Sequence, residues 1–211
     1  MNVGDILIVL GIILGSVILH ELMHGVVAYF LGDRTAKEAG RLTLNPIKHI
    51  DPFMSLLVPV LLYVMGAPVF GGAKPVPINT RNLKGKEWGM ALVALAGPLT
   101  NFLLALIFFL IGHFTGVIYD ISSPWLFFMR EAILINLGFM IFNLIPIPPL
   151  DGSRLLYAIA PDGVRKFLAQ MEIYGVFVVY FLILIFGNVF SGVMAAGVNG
   201  VLDFFYKLVG M

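Results

Sequence analysis

The polar residues of this 211-residue chain come in clumps, and the apolar runs between them carry the first structural information. Residues 6–19, 52–73, 88–119, 132–150 and 173–202 contain no Asp, Glu, Lys or Arg. A helix needs about 20 mostly apolar residues to cross the hydrocarbon of a bilayer. The third and fifth runs reach that length unaided. The first reaches it if it continues through His20, Glu21 and His24 to Leu31, and the fourth if Arg130 and Glu131 lie near the interface. The pattern predicts four main spans, roughly 4–31, 87–113, 124–145 and 171–190. The first span lacks a basic leader and a small-residue cleavage site and is too long for a signal peptide, so we expect it to be retained.

The run 52–73 is broken by Pro59, Gly66, Pro68, Gly71 and Gly72. Arg34, Lys37, Arg41 and Lys48 precede it, and Lys74, Arg81, Lys84 and Lys86 follow it. The positive-inside rule puts both flanks on the cytoplasmic side, which predicts a re-entrant segment. Broken backbone at membrane depth is tolerated where protein or a water-filled cavity covers it. Residues 41–44 and 74–78 alternate and are short, so they are expected to form a small β element. Residues 112–123 contain no Lys or Arg and should be external; residues 146–170 carry Arg154, Arg165 and Lys166 and should be cytoplasmic. The N-terminus then lies outside. The glycines at 192, 197 and 200, followed by Asp203 and Lys207, suggest a short returning or interfacial helix at the C-terminus.

Composition supports this assignment. Hydrophobic residues make up 60% without counting Gly, against about 45–50% with Gly in soluble domains. Charged residues make up 12%, too few to cover a soluble surface. A soluble globule, a disordered chain and a nucleic-acid binder are excluded. The 13 basic and 12 acidic residues nearly balance, so nothing favours a polyanionic partner. With no cysteine, disulfides, Cys-rich zinc sites and thiol catalysis are excluded. The expected fold is an α-helical integral membrane protein forming a single domain over residues 1–211. It has about four main transmembrane helices, a re-entrant segment, a small membrane-associated β element and a short C-terminal helix.

The strongest chemical signal is His20-Glu21-Leu22-Met23-His24. Residues four apart share a helix face, so both imidazoles can grip one ion while Glu21 stands beside them to take a proton from water. Given this composition, chance yields about 0.002 such matches. Ionisable groups inside an apolar span cost at least a few kcal/mol each, which makes them functional candidates by default. The blander reading is a hydrogen-bonded His/Glu network joining helices. A catalytic zinc site needs a third protein ligand. Asp151 is the best carboxylate: it follows Pro146-Ile147-Pro148-Pro149-Leu150, where prolines end a span and can turn the chain back toward the histidines. Its blander role is an N-cap for the helix that follows. Asn101 and Asn143 are polar groups in apolar spans. Each is a candidate for contact with the oxyanion or substrate, or else for interhelical hydrogen bonding. His49 can line an entrance or play a structural part, and we favour the latter. His113 lies near the external end and has no assigned role.

Three motifs together resemble the site-2 protease family of intramembrane zinc metalloproteases (peptidase family M50). His20-Glu21-Leu22-Met23-His24 matches its zinc helix, Asn143-Leu144-Ile145-Pro146-Ile147-Pro148-Pro149-Leu150-Asp151-Gly152 its second signature, and Gly97-Pro98-Leu99-Thr100-Asn101 the motif between. Together they span about residues 15–160. Gly71-Gly72-Ala73-Lys74-Pro75-Val76-Pro77 resembles the family's membrane-associated β segment. The chain's size leaves no room for a PDZ or CBS domain, so it resembles a minimal form. The resemblance implies that His20, His24 and Asp151 hold one Zn2+ and that Glu21 is the general base and then acid. It implies substrates that are transmembrane proteins, single-span and already trimmed by another protease, cut within the lipid bilayer. We expect a prokaryotic plasma membrane with the site toward the cytoplasm. Two other classes were weighed. A metal transporter lacks support, because no chain of polar residues crosses to the outer face. An inactive client-binding homologue is opposed by the intact Glu21.

Overall fold

The computed structural model of the protein describes residues 2–51 and 74–211. Its helices are α1 (Val3–Phe30), a short α2 (Thr35–Glu38), α3 (Lys86–Phe114), α4 (Leu126–Leu144), α5 (Gly152–Ile159), α6 (Asp162–Ile173) and α7 (Gly175–Leu208). Among the described residues, α1, α3, α4 and the stretch Phe177–Leu208 of α7 are long and apolar enough to cross a membrane. The protein is therefore an integral membrane protein, mostly helical.

Local chemistry sets the helix ends. The Asn2 side chain accepts from the Asp5 amide and the Asp5 carboxylate accepts from the Asn2 amide, both at 2.8 Å, so two orphan donors at the start of α1 are satisfied reciprocally. Gly85, at φ 79°, turns the chain into α3. The run Pro146-Ile147-Pro148-Pro149 stops α4, since proline supplies no amide to continue it.

The pattern on α3 shows what kind of solvent surrounds the bundle. Ala91, Ala94, Gly97, Pro98, Asn101 and Ala105 are buried, while Leu92, Leu95, Leu99, Leu103 and Ile107 are exposed. A soluble helix would be arranged the other way. In lipid there is little to gain by hiding leucine, and small residues let helix backbones approach closely. Helix α3 is the central element, with α1 and α4 packed antiparallel to it, as the pairings His24–Val93 and His20–Asn101 show for α1 and Asn101–Asn136 and Phe108–Phe128 for α4. At the end of the bundle away from the histidines, Ala105 and Phe109 of α3, Ile133 and Leu137 of α4, and Phe205 of α7 form a packed core. The ring of Phe205 lies 5.4 Å from that of Phe102 and 5.3 Å from that of Phe109.

Two expectations need revision. The C-terminal tail is not a separate short helix. α7 starts beside Pro149, bends where Phe186 leaves helical angles (φ −112°, ψ 25°), and continues to Leu208; Met211 then touches Tyr119 at the opposite end. The tail is the second half of one long crossing, because Val198, Val201, Leu202 and Phe205 find cover against α3 and α4. The β element is unsupported. Among the described residues there is no strand, and 41–44 and 74–78 run as irregular chain. Their polar groups bind elsewhere: the Lys74 carbonyl accepts from the Arg41 guanidinium, and the Val76 amide donates to Glu21. The expected re-entrant segment, 52–73, lies outside the described residues.

Replacing Phe205 with Ala should destabilise the bundle by about 3 kcal/mol. That is the low end of the range for a buried Phe, because lipid solvates an exposed ring nearly as well as the core does. Thermal unfolding in detergent measures this; a melting point equal to wild type would show that the second half of α7 is not part of the core.

Candidate metal centre

Near one end of the bundle, where α1, α3 and the loop after α4 meet, His20, His24 and Asp151 converge. One ligand atom from each lies within 4.8 Å of the others. The Nε2 atoms of His20 and His24 are 3.0 Å apart, and Asp151 Oδ2 lies 3.2 Å from the first and 3.3 Å from the second. Both histidines are buried. The helix supplies the two imidazoles from one face, and the proline-terminated end of α4 turns the carboxylate back to them.

The neighbours of the imidazoles fix how they are protonated. His24 Nδ1 faces the carbonyl oxygen of Val93 at 2.7 Å, which only accepts, so Nδ1 must donate. His20 Nδ1 lies 2.6 Å from Asn101 Oδ1. Asn101 Nδ2 donates to Asn136 Oδ1 at 2.9 Å, and Asn136 Nδ2 donates to the carbonyl oxygen of Ala132 at 2.8 Å. The Ala132 oxygen cannot donate, so the direction of the whole relay is set from that end. Both rings therefore carry a proton on Nδ1, and in its neutral form each presents a lone pair at Nε2. Such second partners orient metal-binding histidines and raise their basicity.

Three acceptors thus face one another: two Nε2 lone pairs and Asp151 Oδ2, which has no hydrogen-bond donor among the described residues. In a buried site this arrangement is repulsive unless a cation lies among them. Two nitrogens and one oxygen, with a further position open, suit a catalytic zinc. Gly97 supplies the room. A Cβ built there would lie 2.5 Å from His20 Cε1 and Nε2 and from His24 Nε2. One helical turn later, Asn101 holds the ring that Gly97 admits, which gives the four-residue spacing of that motif a physical reason.

Glu21 projects beside the histidines. Its Oε2 accepts from the Val76 amide at 2.9 Å. His20, Glu21, His24, Asn143 and Asp151 line one cavity of about 390 Å3. Arg154 and Glu172, which form an ion pair, line both this cavity and a neighbouring one of about 480 Å3. Asn143 faces the cavity and donates to the Phe139 carbonyl at 3.0 Å. Asn101 is fully buried behind His20 and is not among the residues lining the cavity. His49 is buried in the loop after α2, its Nε2 2.8 Å from the Thr43 carbonyl, apart from the cavity. His113 pairs with Tyr119 at the far end. Asn136 is not among the candidates that the sequence offers, and Gly97 enters there only as the first residue of a motif. Asn136 carries the same signal as Asn101, an amide in a charge-free run; for Gly97 the only signal was its place four residues before Asn101.

These elements place a zinc-type ligand set and an adjacent glutamate inside a bundle of apolar helices, the arrangement of a candidate metalloenzyme site. The profile of Peptidase family M50 matches residues 8–122 and 116–186, and the chain belongs to that family. It is 42% identical over 197 residues to the "Putative zinc metalloprotease YwhC" of Bacillus subtilis (strain 168), covering 90% of this chain and 87% of that one. It is 32% identical over 184 residues to the "Putative zinc metalloprotease Rip2" of Mycolicibacterium smegmatis, covering 86% of this chain and 68% of that one. No solved structure gives a significant match. The chain is a zinc metalloprotease, a hydrolase acting on peptide bonds, and Zn2+ is its cofactor.

Substituting Asn101 with Ala should weaken zinc binding about 10- to 100-fold, the usual effect of losing such a partner. Gly97→Ala should weaken it at least as much, by driving a methyl into both rings. Metal analysis after dialysis against graded chelator reads both; full zinc retention in Gly97→Ala would refute the packing argument.

Proposed function

We propose that the protein is an intramembrane endopeptidase that hydrolyses peptide bonds within transmembrane segments of other membrane proteins. The observation that carries this is the position of the ligand cavity. His24 and His20 lie 6 and 10 residues before the end of α1, about 9 and 15 Å along the helix at 1.5 Å per residue. The bundle around them is sheathed in exposed Leu, Ile and Phe. A soluble peptide has no reason to come there; a lipid-borne one does. The basic loops at that end of the bundle favour the cytoplasmic side, and a prokaryotic plasma membrane is our reading of its location. Single-span proteins already shortened by another protease are the substrates of choice.

His20, His24 and Asp151 hold the metal in this reading. Zinc bound there supplies Lewis acidity, polarising the scissile carbonyl and lowering the pKa of water. Glu21 takes the proton of the attacking water and returns it to the leaving amine. The Val76 amide at one carboxylate oxygen leaves the other free for that exchange. Asn101 holds the His20 ring by its Nδ1. Asn143, which lines the cavity, is the asparagine better placed to meet the oxyanion or the substrate backbone. A helical substrate hides its carbonyls in internal hydrogen bonds, so the segment to be cut must unwind before its carbonyl can enter the cavity.

Purified wild type and Glu21→Gln should both bind zinc, and only wild type should cleave a membrane-spanning substrate in proteoliposomes. Loss of one positioned acid–base group should cost about 100-fold or more. Equal cleavage by the two proteins would reject the assignment of Glu21, and cleavage confined to soluble peptides would reject the intramembrane reading.

A further inference from the structure

The loop after α1 and the chain entering α3 hold two buried charged side chains that the metal centre does not use. Asp33 is fully buried. Its Oδ1 accepts from the Thr35 amide at 3.1 Å, the Thr35 hydroxyl at 2.5 Å and Asn82 Nδ2 at 3.1 Å; its Oδ2 accepts from the Asn79 amide at 2.7 Å. Arg41, also buried, donates from Nη2 to the Lys74 carbonyl at 2.6 Å, and the Lys74 amide donates to the His49 carbonyl at 2.9 Å. The stretch 74–79 is thus pinned near both ends by groups far away in sequence. Burial works against the Asp33 carboxylate, but the bonds from Thr35, Asn79 and Asn82 outweigh it and hold the group below the ordinary carboxylate range. It is ionised at neutral pH and acts as a charged acceptor, which makes its hydrogen bonds strong.

Between the two pins runs Pro75-Val76-Pro77. Proline has no amide hydrogen, so Val76 offers the sole backbone donor among these three residues. That donor meets Glu21 Oε2. Val76 is buried against α1, where Gly25 allows the approach: a Cβ at Gly25 would lie 3.0 Å from Val76 Cγ1 and 2.6 Å from Leu42 Cδ2. The flanking prolines deny the stretch the donors of a regular ladder, yet leave one amide aimed at the carboxylate.

We propose that Asp33 and Arg41 are positioning residues for the reaction, clamping the Pro75-Val76-Pro77 stretch so that the Val76 amide orients Glu21. The inference rests on Glu21 being the general base, and it adds two remote residues and one backbone donor to that reading. Exposed loop residues alone would not need a buried charge at each end, and nothing in zinc binding requires either.

The test uses the full-length zinc-loaded protein in detergent, with Asp33→Asn, Val76→Pro and the double variant. Asp33→Asn replaces a charged acceptor with an amide whose NH2 faces donors. The expected result is faster hydrogen–deuterium exchange over 74–82 and a kcat lowered roughly ten- to hundredfold, the scale of a reacting group misplaced by less than an ångström or so, with zinc content retained. Val76→Pro should lower kcat alike, and the double variant should be no worse than Val76→Pro, because both act through one amide. An unchanged kcat in Val76→Pro, multiplied losses in the double variant, or unaltered exchange in Asp33→Asn would each overturn the proposal. Where Asp33→Asn fails to fold, Asn82→Ala at an exposed position removes one of the donors, and unaltered exchange and kcat there overturn it too. Wild type that binds zinc without cleaving rejects the protease reading alone. The clamp is then judged by Val76 exchange in Glu21→Ala, which rises if the contact is real and stays level if it is not.

Discussion

The structure depends on one constraint: a polar group carried into an apolar bundle must find its partner inside the protein. Water and lipid offer it nothing at that depth. The relay from the Ala132 carbonyl through Asn136 and Asn101 to His20 satisfies this constraint and also sets a direction. A backbone carbonyl can only accept, so each amide along the relay is forced into one orientation, and the last one fixes the tautomer of a candidate metal ligand. The Val93 carbonyl does the same for His24 in one step. The hydrogen bonds that hold α1, α3 and α4 together are therefore the same ones that prepare the Nε2 atoms to bind a cation.

Close packing is the second half of this arrangement. Helix α3 turns its alanines, Gly97 and Pro98 inward and its leucines toward lipid. This brings its backbone near enough to α1 for a main-chain oxygen to reach an imidazole. A larger residue at Gly97 would occupy the space of the two rings. Stability and site geometry are thus coupled along α3, while the aromatic packing of Phe109 and Phe205 at the other end of the bundle stays clear of the metal centre.

Much of this was legible from residue order. The charge-free runs located four helices long and apolar enough to cross, because bilayer thickness demands about 20 apolar residues whatever the partners are. His20, Glu21 and His24 stood out because helical periodicity puts residues four apart together and because ionisable groups in such a run are costly. Asp151 followed from the prolines that end α4. The parts that were misread depend on contacts between distant segments. The glycines of the tail weaken helix propensity and predict a short helix, yet Phe205 finds a core on α3 and α4 that outweighs them. Residues 74–78 alternate as a strand does, yet their hydrogen bonds go to Glu21, Arg41 and His49, which no local pattern reveals. For Asn101 residue order leaves open a contact with the substrate or a hydrogen bond between helices; its side chain bonds His20 on one side and Asn136 on the other.

Residue order is enough to show that the chain lives in a membrane, where four helices long enough to cross it lie, and which residue types are candidates for the chemistry, since these follow from hydrophobicity, helical periodicity and the coordination preferences of zinc. The tertiary structure alone decided which asparagine touches a histidine, why position 97 has no side chain, and that a lone amide between two prolines meets Glu21 while Arg41 and Asp33 bind the chain on either side of it. Those facts rest on pairings between residues tens of positions apart. Distances between helix faces set such pairings, and only packing determines those distances.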